Sequence, residues 1–213
     1  MLGVLMLDTR FPRPLGDVGH PGSFEMPVRY ERVRGATASR VVRSDTEAAL
    51  LAPFLEAGHR LIHQGACALT TSCGFLVRFQ HALQAALPVP VWTSALLKLP
   101  ELESPGVLTV NAQALGPDDL VAAGGTAFTP IEGLAPGCSL QRTLLQDLDH
   151  LDPVQAQADV VAAALRLVER CPQVKTLVLE CTNMPPYAQA VAQATGRSVH
   201  HLMTLVHERW KLL

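Results

Sequence analysis

Short apolar runs alternate with stretches of helical period along most of the chain. Leu2 to Leu7 is a continuous apolar run stopped by Asp8, as expected of a parallel strand buried on both faces. From Phe11 to Gly22 the pattern breaks: Pro12, Pro14, Pro21, Gly16, Gly19 and Gly22 predict a long loop over the strand ends, either a lid or a surface excursion. Val28 to Val33 predicts a short strand. Ser44 to Ala57 predicts a helix capped by Ser44 or Asp45, with Glu47 completing a capping box, Ala48, Leu51 and Leu55 on one face, and Gly58 closing it. His59 to Leu69 then reads as a strand leading into Thr70-Thr71-Ser72-Cys73-Gly74-Phe75. A helix follows to Leu87, ended by Pro88 and Pro90, then a short extended piece at Val89 to Trp92 and a helical turn or two from Ser94.

The chain then starts again. Gly106-Val107-Leu108-Thr109-Val110-Asn111 repeats the layout of Gly3-Val4-Leu5-Met6-Leu7-Asp8, which sets Asn111 at the position of Asp8. Pro117 to Ala123 predicts a helix stopped by Gly124-Gly125, and Phe128-Thr129-Pro130 a strand or loop. Pro153 to Arg170 predicts a long helix capped by Asp152, with Val154, Ala158, Val161, Leu165 and Val168 on one face. Thr176 to Leu179 is a further buried strand, followed by a helix from Pro185 to about Gln193, a short strand at Val199 to Leu202 and a terminal helix from Val206. This alternation predicts an α/β fold of two pseudo-symmetric lobes, each a short, mainly parallel sheet flanked by helices, with a cleft between them. The expected divisions are residues 1–104 and 105–190 for the lobes, with 191–213 returning to the first.

Composition narrows the partners. With 213 residues, 48% of them hydrophobic, the chain can bury a substantial core, and a net charge of −2 gives no field to attract nucleic acid or an anionic membrane. The apolar run at residues 2–7 is too short for a secretory signal or a membrane span. Five cysteines, odd in number and with no Cys-x-x-Cys, favour a reducing cytoplasm over a disulfide framework and give no support to a zinc site. His200, His201 and His207 read as core or surface histidines, and Arg10 and Arg13 as solvated.

Parallel sheets bind ligands at the carboxyl ends of their strands, where Asp8, Cys73, Asn111 and Cys181 are expected. Cys73 and Cys181 stand at matched positions in the two halves, each after a buried strand and before a helix start, where amides and the helix dipole favour a thiolate. Two thiols converging on one carbon acid can take a proton from one face and return it to the other. Thr71, Ser72, Thr182 and Asn183 add hydroxyl and amide groups suited to a carboxylate. Asp8 either orients a neighbouring group or caps the following turn, and Asn111 is equally open. Cys67, Cys138 and Cys171 read as packing residues.

Thr-Thr-Ser-Cys-Gly-Phe at 70–75 and Leu-Glu-Cys-Thr-Asn-Met-Pro at 179–185, with 108 residues between the cysteines (181 − 73), resemble the aspartate/glutamate racemase superfamily over nearly the whole chain. The resemblance implies cofactor-independent racemisation or epimerisation of an amino acid or a derivative such as a hydantoin. Cys73 and Cys181 would be the acid/base pair, Asp8, Thr71, Ser72, Gly74, Asn111, Thr182 and Asn183 would surround the substrate, and the chain would form a homodimer. Glutamate-specific members carry Cys-Asn-Thr and Leu-Gly-Cys-Thr-His where this chain has Cys73-Gly74-Phe75 and Leu179-Glu180-Cys181-Thr182-Asn183, so the substrate stays open. Decarboxylation, cis–trans isomerisation and non-catalytic ligand binding are the alternatives.

Overall fold

The computed structural model describes residues 1–42 and 47–213. Among the described residues there are two four-stranded parallel sheets. The first is built from β1 (Leu2–Leu7), β2 (Val28–Val33), β3 (Ala68–Thr71) and β4 (Val91–Trp92) in the order β2-β1-β3-β4. The second contains β5 (Pro105–Thr109), β6 (Ile131–Gly133), β7 (Thr176–Leu179) and β8 (Ser198–His201) in the order β6-β5-β7-β8. Because the two orders are the same, the start of β5 is the start of β1 repeated, as the sequence predicts. The central strands are apolar along their whole length because both faces are covered: Leu2, Val4 and Leu5, and likewise Leu177, Val178 and Leu179, have no exposed surface.

Helices α1 (Ala38–Val42), α2 (Glu47–His63) and α3 (Gln80–Ala86) belong to the first half, and α4 (Pro117–Ala122), α5 (Ser139–Leu145), α6 (Pro153–Arg170), α7 (Ala188–Thr195) and α8 (Leu202–Trp210) to the second. Asp152 caps α6, its Oδ1 accepting from the amides of Val154 and Gln155 at 3.0 Å. The expected cap at Ser44 and Asp45 lies outside the described residues.

Several local expectations are corrected. Residues 59–63 are the last turn of α2, not a strand. Gly58 lies inside the helix, packed close against Leu87, and Gly65, at φ +95°, follows the helix end instead. The segment after Cys73 begins as a 3-10 helix (Gly74–Phe79) before α3. In α6 the buried face is Ala156, Val160, Ala163, Ala164 and Leu167, whereas Val154 and Leu165 are exposed. Small alanines let this helix lie close to β5, β6 and α7, and that closeness outweighs the larger aliphatic row. Helices α1 and α5 have no counterpart among the expected elements. Strand β8 pairs with β7, so residues 198–201 belong to the second sheet, while α8 lies against the 3-10 helix Ala95–Glu101, with Lys98 Nζ 2.6 Å from Glu208.

The halves are held together immediately behind Cys73. Arg78 donates through Nε and Nη2 to the two carboxylate oxygens of Asp119, the first residue pair at 2.6 and 2.9 Å, and through Nη2 to the carbonyl of Ala114 at 2.6 Å. Asp119 is buried and Arg78 nearly so. Removing one partner of such a pair leaves a buried, uncompensated charge, so Asp119→Ala is expected to lower stability by about 3–5 kcal/mol. Urea unfolding followed by circular dichroism would measure this, and the double variant Arg78→Met/Asp119→Leu is expected to recover most of the loss.

Candidate active site

Residues two beyond β3 and two beyond β7 are cysteines, and the two strand-end loops meet face to face. Thr182 Oγ1 donates to the carbonyl of Ser72 at 2.6 Å, and Gly74 rests directly on Glu180. A Cβ added to Gly74 would stand 2.2 Å from the Glu180 carbonyl oxygen and 2.3 Å from its Oε1, so only glycine permits this approach. Around this seam lies a small, partly enclosed cavity of about 30 Å³. Its polar lining is Ser72, Cys73, Glu180, Cys181, Thr182 and Asn183; Leu7, Phe11, Val110 and Leu144 are among the apolar residues that shut it.

The site residues expected from sequence divide into two groups. Ser72, Cys73, Gly74, Cys181, Thr182 and Asn183 are brought together on the cavity. Thr71 stands behind it, its hydroxyl directed to the carbonyls of Thr93 and Cys73 at 2.6 and 3.0 Å, which holds the cysteine loop in shape. Asp8 and Asn111 are not among the residues that line the cavity. Asp8 accepts from the amide of Gly35 at 2.9 Å and faces Arg32, and Asn111 accepts from the amide of Gln113 at 3.1 Å. Asn111 acts on its own turn, whereas Asp8 caps the turn after β2 and not the one that follows it in the chain.

The loop after β1 supplies groups that sequence reasoning missed. Asp17 is buried and accepts from Arg13 Nη1 at 3.0 Å, from the amide of Gly19 at 2.6 Å and from Asn183 Nδ2 at 2.6 Å. Asn183 in turn places its Oδ1 3.6 Å from the Cys181 sulfur, which donates to it. Arg13 is therefore buried against Asp17, with Thr9 Oγ1 at 2.9 Å, and the expectation of a solvated side chain fails for it. Arg10 stays exposed. The amides of Arg10 and Phe11 donate to Asp147 of the second half, at 2.6 and 3.2 Å, and the Val18 amide reaches the Thr182 carbonyl at 3.4 Å. Residues 13–17 form no helix, so the spacing of Arg13 and Asp17 carried no sequence signal for this pairing.

Charge in the cavity is suppressed. Burial pushes the Cys73 thiol up to about 12, with the Glu180 carboxyl adding to the rise; the Phe75 amide and the cations of Arg13 and Arg78 oppose it. Cys181 is raised well above the ordinary thiol range by burial, then by Glu180, with Cys73 and Asp17 adding further and only the Asn183 amide opposing. The helix-start amides expected to favour thiolates are thus present, and burial outweighs them. Glu180 is itself buried, and burial lifts its carboxyl to about 8; Asp119 adds to the rise, and the Thr109 hydroxyl, which donates to Oε2 at 2.7 Å, and Arg78 oppose it. At neutral pH the resting cavity holds three protonated acids. Of the two thiols, Cys73 has the cations on its side.

No protein-family model matches the chain. It is similar to dimethylsulfoniopropionate lyases 7 and 3 of Emiliania huxleyi (strain CCMP1516), 28% identical over 221 residues and 30% over 227, each alignment covering 95% of this chain but 64% and 57% of the relative. A dimethylsulfoniopropionate lyase of Durusdinium sp. clade D is 28% identical, covering 93% of this chain and 70% of that one. The chain thus spans about 57–64% of the length of the two Emiliania relatives. Among solved structures it superposes on allantoin racemase from Klebsiella pneumoniae (TM-score 0.66, 14% identity, 100% of this chain and 89% of that one). It also superposes on unliganded arylmalonate decarboxylase (0.60, 14%, 93% and 85%) and on a putative Asp/Glu racemase from Yersinia pestis (0.56, 11%, 95% and 94%). The fold is that of the aspartate/glutamate racemase superfamily. The expectation of an isomerase, a racemase or epimerase, is overturned: the sequence relatives that cover nearly the whole chain are named lyases. Among the described residues no helix is long and apolar enough to cross a membrane.

Glu180 makes stability depend on pH in a definite direction. Its carboxyl is raised from 4.5 to about 8 in the folded chain, so folding retains a proton that the unfolded chain releases. The contribution is fully present below the unfolded value and lost as pH rises through the folded one. Between pH 5 and 8 the wild-type Tm is therefore expected to fall relative to that of Glu180→Gln, which carries no ionisable group there. Differential scanning calorimetry of both proteins at the two pH values checks this; parallel Tm profiles would contradict it.

Proposed function

We propose that this chain is a lyase acting on dimethylsulfoniopropionate or a closely similar β-sulfonium carboxylate, cleaving it by elimination. The relatives that span 93–95% of the chain and bear that name support the reading. So does a partly enclosed, largely apolar cavity with two thiols and one carboxyl on it. The chemistry asks for little more. A thiolate removes the proton from the carbon beside the carboxylate, the electron pair forms the double bond, and the carbon–sulfur bond breaks. Dimethyl sulfide departs as a neutral molecule with the bonding pair, acrylate remains, and the thiol holds the proton until solvent takes it.

Cys73 is the base on this reading, because Arg13 and Arg78 lower its thiol while Cys181 faces mainly negative groups. Cys181 keeps its proton and serves as a donor beside the substrate, oriented by Asn183 and, through it, by Asp17. The resting thiols are protonated, so ionisation has to accompany binding. A sulfonium cation entering a low-dielectric cavity supplies the field that favours a thiolate. A racemase needs the second thiol to return a proton to the opposite face. With a neutral sulfide ready to leave from the β-carbon, the carbanion collapses by elimination instead.

Incubating the purified chain with dimethylsulfoniopropionate is expected to release dimethyl sulfide and acrylate in equal amounts, read by headspace gas chromatography and proton NMR. Cys73→Ser is expected to lower kcat roughly 10²–10⁴-fold with an unchanged circular-dichroism spectrum, the range typical of a lost general base. A wild-type protein that releases no dimethyl sulfide, or a Cys73→Ser variant at full rate, would end the proposal. Asn183→Ala is expected to lower kcat more modestly, by about tenfold, through a misplaced Cys181 sulfur.

A further inference from the structure

Glu180 is the cavity's ionisable group that the elimination does not use. Its side chain has no exposed surface, its Oε2 accepts the Thr109 hydroxyl, and its Oε1 has no hydrogen-bond partner. A buried carboxyl with a bare oxygen is costly unless something else meets that oxygen. The Thr109 donor makes Oε2 the accepting oxygen, so the acid proton belongs on Oε1. That atom lies against Gly74, between the backbones of the two cysteine loops, and Glu180 lines the same cavity as Cys73 and Cys181.

We propose that Glu180 is a substrate-binding group of this site: a buried carboxylic acid that donates a hydrogen bond from its unpartnered Oε1 to the carboxylate of the ligand. This rests on the lyase reading for the ligand's carboxylate. Removing a proton beside a carboxylate pushes charge onto the carboxylate oxygens, and a preorganised neutral donor in a dry cavity stabilises that charge most where it is largest. An ionised Glu180 would instead repel the same oxygens. The charged and titratable groups around it are Cys73 and Cys181 in the cavity, Asp119 on α4 and Arg78 on the 3-10 helix, the last two tied to each other. Burial with one carboxylate near and one cation near leaves the acid protonated until about pH 8.

Propionate is the probe, because it has the carboxylate but neither a leaving group nor an electrophilic double bond. NMR titration of the full chain is expected to show wild-type affinity falling about tenfold per pH unit above pH 8, as one proton is lost. Glu180→Gln, whose amide donates without ionising, is expected to bind with no such fall between pH 7 and 9. Glu180→Met is expected to bind at least about tenfold more weakly at pH 7, the loss of one charge-assisted donor. Equal pH profiles for wild type and Glu180→Gln, or no propionate binding by the wild type at any pH, would overturn the inference; so would undiminished binding by Glu180→Met. Should the methionine variant fail to fold, wild type against Glu180→Gln decides. Dimethyl sulfide release with pH-independent propionate binding refutes the role of Glu180 alone. Proton-linked binding without dimethyl sulfide release refutes the lyase reading and leaves the acid in place.

Discussion

The contact on which the site depends is the seating of Gly74 on Glu180. Two strand-end loops, 106 positions apart in sequence (180 − 74), approach until a single added carbon would collide with both the backbone and the side chain of the opposing residue. The Thr182 hydroxyl bound to the Ser72 carbonyl fixes the register of that approach, and the buried Arg78–Asp119 pair holds it from behind. Because the cysteines flank this seam, their shared cavity is a consequence of backbone packing between the halves. The residue after Cys73 is thus set by space, which accounts for a glycine at this position.

The same closeness governs the electrostatics. Each nearby cation is matched by its own buried carboxylate, Arg13 by Asp17 and Arg78 by Asp119, so neither is left to fix an anion in the cavity outright. What remains is a set of three acids whose charged forms are all disfavoured by burial. Such a cavity is neutral at rest, and on the proposed reading the cationic end of a zwitterion favours thiolate while its anionic end is met by protonated donors. A ligand carrying only negative charge would work against the first step.

The fold is shared by proteins named racemase and decarboxylase, and the sequence relatives are named lyase. Inversion, decarboxylation and elimination can each pass through a carbanion beside a carboxylate or a similar group, so a shared fold does not decide among them. The carbanion's fate is decided by what sits on the adjacent carbon of the substrate. A pair of thiols on one cavity does not by itself distinguish inversion from elimination, and the names of the sequence relatives overturn the racemase expectation although both cysteines line that cavity.

Local chemistry was legible in the chain. The apolar runs located most of the strands, the Gly3 and Gly106 segments announced two like halves, Asp152 with Pro153 marked the start of α6, and both cysteines were found by their place after buried strands. Helix α5, which closes the cavity with Leu144 and Leu145, had no cap or periodicity strong enough to announce it. Arg13 and Asp17, drawn inward by Asn183 from 166 positions away, looked like ordinary loop charges, and Glu180 looked like a strand-end polar residue. Strand, turn and cap preferences act over a few neighbouring residues, so sequence alone determines them. Whether a carboxyl is ionised, an arginine solvated or a glycine indispensable depends on what packs against it from the other half of the molecule, and only the tertiary structure decides that.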